Sequence, residues 1–241
     1  MDDLDKDLVL QWYEWLEEQL LDIMRYLPPA PENLYSYSPR LASLIVEACG
    51  LLDSILRQIT PDPVAVGGKS KPRRYLDIVD YAELYANTFG LPTLKSILLL
   101  PPPKYLCPFA PWTALAPGGG YAPLPWWSTH TDLKHDRIAN LKKAGLAVAI
   151  DALSALHQVI AVVPDLGRTV LRRGLVPGRK PNPDIVIEVL EGRTAANWTL
   201  LVETRLFAVP RGREKFPETI AAFSPAFFNG SDRLIDFFGR W

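Results

Sequence analysis

Cysteine is nearly missing from this chain: Cys49 and Cys107 are the only two, and they form no CxxC pair. That excludes a disulfide framework and a cysteine zinc site. Histidine is almost as scarce, with three in 241 residues. So few ligating side chains leave little for a metal to bind, and neither a metal nor another cofactor is expected. A charge excess of either sign is also missing, since 26 Lys and Arg stand against 27 Asp and Glu. This excludes a protein that coats nucleic acid by bulk electrostatics, so any polyanion has to meet a local basic patch. The longest apolar run, 144–163, has the length of a membrane span but is interrupted by Asp151, Ser154, His157 and Gln158. It reads as a buried helix, and no membrane partner is expected. The first residues, Met-Asp-Asp-Leu-Asp-Lys-Asp, are acidic where a secretory signal is basic, which gives a cytoplasmic expectation.

What is present is a large apolar fraction, 48%, enough for a sizeable core. A first helix is expected over 3–26, with Leu4, Leu8, Trp12, Trp15, Leu16, Leu20 and Ile23 at three- and four-residue steps, stopped by Pro28-Pro29. Ser38 as N-cap and Pro39 at the first helical position open a second helix, closed by Pro61. Residues 67–74, Gly-Gly-Lys-Ser-Lys-Pro-Arg-Arg, make a basic loop. It lacks the first glycine of a Walker A, so a solvated loop is expected, with phosphate contact as the alternative. A short helix over 75–89 follows. Nine of the 23 prolines fall between Leu91 and Pro125, interleaved with Tyr105, Phe109, Trp112 and Tyr121, which predicts an ordered meander without regular structure. The longest helix is expected from about Thr129, spaced from Asp132 as in a capping box, to about Val163 before Pro164. Alternation over 184–190 and 198–209 predicts a β-hairpin, and the aromatic-rich 216–241 is expected to pack back. The domains expected are a helical bundle over 1–164 and a C-terminal hairpin extension over 165–241.

The stretch richest in chemistry is Trp126 to Arg137, Trp-Trp-Ser-Thr-His-Thr-Asp-Leu-Lys-His-Asp-Arg. It places His130, Lys134, His135 and Arg137 within eight residues, at what the helix expectation makes an N-terminal turn. Cations there oppose the helix dipole, so their placement favours a function. Metal-independent phosphodiester cleavage needs a proton-transfer group and a cation for the charge developing on phosphate, and imidazole and guanidinium suit those tasks. His135 and His130 are the candidates for proton transfer, Arg137 for a phosphate clamp and Lys134 for added charge. Against this stands a plain solvated turn. Trp126 and Trp127 read as core anchors, with base stacking the alternative, and His157 as a buried core histidine. Glu47, Asp53 and Arg57 of the second helix are placed to face the basic turn; Asp53 and Arg57 also make an ordinary i,i+4 pair. The acid-free run from Arg168 to Lys180 either tracks a nucleic-acid backbone or is solvated.

Several of these landmarks together resemble HEPN-like proteins (higher eukaryotes and prokaryotes nucleotide-binding). They are Tyr37-Ser38-Pro39 opening a helix with Glu47, Asp53 and Arg57, then Asp77-Ile78-Val79-Asp80-Tyr81, Pro111-Trp112, Trp126-Trp127 and Lys134-His135-Asp136-Arg137. The similarity spans about residues 35–163. His130 and Thr131 stand where that pattern has Tyr and Asn, and no arginine precedes His130, His135 or His157 at the Arg-x(4–6)-His spacing. The resemblance implies a mainly α, HEPN-like helical bundle that forms a homodimer. It implies binding of RNA or a nucleotide-like anion around Lys134, His135 and Arg137, with Thr131, Asp53, Glu47, Trp126 and Trp127 on the substrate side. In an active member it further implies a metal-independent ribonuclease in a defence or toxin role. A non-catalytic protein-interaction module is the alternative.

Overall fold

A computed structural model describes residues 1–100, 103–114, 121–177, 182–194 and 200–212. The 216–241 segment, Arg179, Lys180 and the three glycines at 118–120 lie outside the described residues. The protein is mainly helical. It divides into two compact units, one formed by Met1–Leu94 and Cys107–Val159, the other by Lys95–Leu106 and Ile160–Trp241.

In the first unit, α1 (Asp3–Tyr26) starts at a capping box between Asp2 and Asp5, and α2 (Pro39–Ile59) at Ser38, whose hydroxyl accepts from the Leu41 amide at 3.2 Å. Both boundaries follow the sequence signals. The buried face of α1 follows them only in part: Leu16, Leu20 and Ile23 of the expected stripe are buried, together with Leu10, Tyr13 and Met24, while Leu8, Trp12 and Trp15 are exposed. Two stripes of three- and four-residue steps compete on this helix. The inner one contains Glu17, whose burial is satisfied by a 3.0 Å hydrogen bond from the Tyr13 hydroxyl one turn away. The expected basic loop is a hairpin, β1 (Val64–Val66) and β2 (Lys69–Lys71), turning at Gly67 and Gly68, both with positive φ. The 3-10 turn Arg73–Tyr75 follows, then α3 (Ile78–Tyr85), capped by an Asp77–Asp80 box.

The expected long helix over 129–163 is three helices: α4 (Pro125–His135), α5 (Arg137–Asn140) and α6 (Leu146–Val162). Pro125 at the first position starts α4, and Thr129 is a buried residue in its second turn rather than its cap. The start of α6 is held by backbone: the amides of Leu146 and Ala147 donate to the carbonyls of Ser36 and Leu34, each at 3.0 Å. That close approach needs Gly145, where a Cβ would stand 3.2 Å from the Leu34 oxygen. As expected, α6 is a core helix. Of the polar residues that interrupt its run, Ser154 and Gln158 are fully covered, Gln158 Nε2 donating to the Leu94 carbonyl at 3.3 Å, and Asp151 is half-buried. His157 is buried and stacks on Tyr13 at 5.6 Å. No single described helix is long and apolar enough to cross a membrane.

The second unit holds a four-stranded antiparallel sheet in the order β4-β3-β6-β5: β3 (Ser96–Leu98), β4 (Lys104–Leu106), β5 (Leu200–Glu203) and β6 (Phe207–Arg211). Two strands of this sheet come from the proline-rich stretch that was expected to lack regular structure. Residues 184–190, expected as a strand, form α8 (Pro183–Leu190). Asn182 caps it by accepting from the Asp184 amide at 2.9 Å, and Val186, Val189 and Leu190 are buried at helical spacing. The hairpin is therefore β5–β6, not 184–190 with 198–209. Helix α7 (Gly167–Arg172) packs on α8 through Gly167, where a Cβ would lie 3.0 Å from Leu190 Cβ.

Candidate functional site

Helix α4 buries Trp126, Thr129, His130 and Leu133, the i, i+3, i+4, i+7 face, and packs on α2. It ends at His135. Asp136 breaks the helix with an extended backbone and caps α5 by accepting from the Ala139 amide at 3.0 Å. Asn140 Nδ2 donates to the carbonyls of Asp132 (3.1 Å) and Asp136 (2.9 Å), tying the two helices together. Lys134 and His135 thus occupy the last turn of α4. This position reverses the electrostatics expected at a helix start: cations at a helix C-terminus are favoured by the dipole, so their placement carries no energetic penalty there.

The two tryptophans separate in role. Trp126 is 2% exposed, its indole donates to the Pro108 carbonyl at 2.9 Å, and Phe109 packs edge-on against it at 5.5 Å. Phe109 also meets Trp112 at 4.9 Å, so Pro108–Trp112 are pinned to α4 as core. Trp126 is a core anchor and has no face left for a base. Trp127 is half-buried, edge-on to Trp126 and, at 5.0 Å, to the His130 ring.

Beneath the basic turn lies a polar cluster drawn from three helices. Arg57 pairs with Asp53 at 2.8 Å and donates through Nη1 to the Arg74 carbonyl at 3.0 Å. The Tyr81 hydroxyl of α3 is buried beside this pair, near enough to feel both charges. Burial, then the Asp53 charge, holds the Tyr81 hydroxyl well above its ordinary pKa, so it stays a neutral phenol. His130 is 8% exposed and its Nδ1 is buried without a hydrogen bond among the described residues. Burial first and Lys134 second lower its pKa from 6.5 to about 4, with Asp53 pulling weakly the other way. At neutral pH His130 is an uncharged, weakly basic imidazole.

Lys134, His135 and Arg137 are exposed. The neighbouring carboxylates are committed elsewhere: Asp132 to Lys143 at 2.7 Å, Asp136 to the cap of α5. Among the described residues no ion pair neutralises Lys134, His135 or Arg137. Thr131 is exposed, its hydroxyl returned to the Trp127 carbonyl at 3.1 Å. Glu47 is exposed and, six positions before Asp53, points about 120° away around α2; among the described residues no hydrogen bond or ion pair brings it to the turn. Of the residues singled out from the sequence, Asp53, Arg57, His130 and Lys134 come together. Tyr81 stood out in the sequence only as part of a motif, and Arg74 only as part of a basic loop; both join the site through contacts distant in sequence. No group of three potential metal ligands occurs among the described residues. Compared with family models, curated proteins and solved structures, the chain matches none.

Proposed function

We propose that the first unit binds RNA or a nucleotide-like anion at the α4–α5 turn, through Lys134, Arg137 and His135. The observation that carries this reading is the commitment of Asp132 and Asp136 elsewhere, which leaves three adjacent basic groups open to a phosphate. Guanidinium is suited to a bidentate phosphate contact and the lysine to added charge. The HEPN-like resemblance points the same way from sequence alone. If cleavage accompanies binding, as in an active ribonuclease of defence or toxin type, the proton-transfer group is His135, because His130 is neutral, weakly basic and buried. His130, Asp53, Arg57 and Tyr81 then act by holding α2, α3 and α4 in register beneath the turn.

The test is anisotropy titration of end-labelled RNA in EDTA at low salt, with cleavage read on gels, for the parent, Lys134→Ala/Arg137→Ala and His135→Ala. Loss of two phosphate contacts should lower affinity about ten- to a hundredfold and flatten the slope of log K against log salt by about 1.4. Equal slopes for parent and double variant would remove this turn from the interface.

A second reading, a non-catalytic protein-interaction module, is favoured by the exposed row Leu8, Trp12 and Trp15 along α1. The homodimer implied by the HEPN-like resemblance would have an apolar face to use there. The RNA titration separates the two readings, since a parent that binds no RNA leaves this row as the feature to pursue.

A further inference from the structure

We infer that the turn Arg73–Tyr75 is a second subsite of the same interface, where the Tyr75 ring stacks an unpaired base and so selects single-stranded RNA. The inference rests on the RNA-binding reading of the α4–α5 turn. Tyr75 is 59% exposed although the Arg74 guanidinium lies over one face of its ring, 4.8 Å from the centroid. The exposed area therefore belongs largely to the other face and the edge. An arginine stacked on one side holds the ring in place and sets a positive charge beside whatever stacks on the other. Tyr26 and Tyr35 are more exposed, but no cation stacks on either among the described residues.

Nearby acids are again spent on structure. Asp62 accepts from the Arg73 amide at 3.0 Å, Glu83 from the Gly67 amide at 2.9 Å, and Asp80 takes Lys71. Arg74 and Lys69 remain exposed without a carboxylate among the described residues. This subsite is tied to the first through the polar cluster: the Arg74 carbonyl accepts from Arg57, Arg57 pairs with Asp53, and Asp53 and Lys134 both act on His130. A short strand can meet Lys134 and Arg137 with its phosphates and Tyr75 with a base. Inside a duplex both faces of each base are already covered, and only the end pairs leave a face open, so the ring favours an unpaired base.

The experiment is a titration in EDTA and low salt of a labelled oligoadenylate about 12 nucleotides long, its duplex with oligouridylate, and an abasic strand of equal length. The parent should favour the single strand over both others. Tyr75→Ala should weaken binding of the single strand about five- to a hundredfold, to near the abasic level, whereas Tyr75→Phe keeps the preference. Lys134→Ala/Arg137→Ala should weaken all three probes alike. A parent that binds the single strand no better than the abasic strand, or a Tyr75→Ala protein that binds like the parent, overturns the stacking subsite while leaving the anion site standing. A parent that binds none of the probes overturns both.

Discussion

Acid should destabilise the first unit, and His130 should account for a measurable share. Its pKa falls from 6.5 unfolded to about 4 folded. Between those values the unfolded chain binds more protons, so the stability contributed by the neutral imidazole is intact above about pH 6.5 and is lost as pH falls towards 4. Moving from about pH 7 to about pH 5 gives roughly 2 kcal/mol, from RT times the logarithm of the ratio of the two binding polynomials. His157, lowered to about 3 by burial, adds a loss of the same sign. Asp151 opposes them. Burial raises its carboxyl from 3.8 to about 6, so the folded state takes up the proton first, and acidification through that window stabilises by about 1 kcal/mol at pH 5. Urea unfolding followed by tryptophan emission draws on five of the seven tryptophans from this unit, among them the buried Trp112 and Trp126. His130→Gln keeps a polar, uncharged side chain and removes the titration. Its loss of stability between the two pH values should be smaller than the parent's by about 2 kcal/mol. Equal losses in the two proteins would refute the buried, neutral reading of His130.

Two further predictions concern packing. Trp126→Phe deletes the indole hydrogen bond and leaves the Pro108 carbonyl buried without its donor; a cost of about 2–4 kcal/mol is expected in the same urea assay, and a change below about 0.5 kcal/mol would show that the ring is no anchor. Gly145→Ala sets a methyl 3.2 Å from a backbone oxygen that cannot swing aside, which should cost about 1–3 kcal/mol. Gly50→Ala in the middle of α2 meets nothing within 4 Å and should instead stabilise by about 0.5–1 kcal/mol. Shifts of the same sign for both glycines would contradict the geometry.

Where a helix start is written by one residue and its cap, as at Ser38, it was legible in the sequence. Pairings made across long separations were not. Nothing local joins Ile97 to Ala208, so the sheet that takes β3 and β4 out of the proline-rich stretch could not be read from it. Likewise 184–190 offers alternating and helical apolar patterns at once, and the Asn182-Pro183 start signal, not the alternation, decides between them. The candidate site divides along the same line. Asp53 and Arg57 are four apart on one helix and were visible as a pair. The burial of His130 and the placing of Tyr81 and Arg74 beside that pair depend on how α2, α3 and α4 pack.

The basic turn itself shows how much rests on one boundary. Thr129 and Asp132 have the spacing of a capping box, and with a helix starting there Lys134 and His135 lie in its N-terminal part, against the dipole. Pro125 starts the helix four residues earlier, which puts the same two cations in the last turn, where the carbonyl ends welcome them. Their position therefore needs no functional explanation. What remains to account for is that no carboxylate pairs with them among the described residues. A surface turn with two acids among its own neighbours could neutralise its cations cheaply. Here Asp132 reaches forward to Lys143 and Asp136 caps α5. Lys134 and Arg137 remain uncompensated not for want of acids nearby but because the break between α4 and α5 uses those acids, so the break that ends the helix also exposes the charge a polyanion would meet.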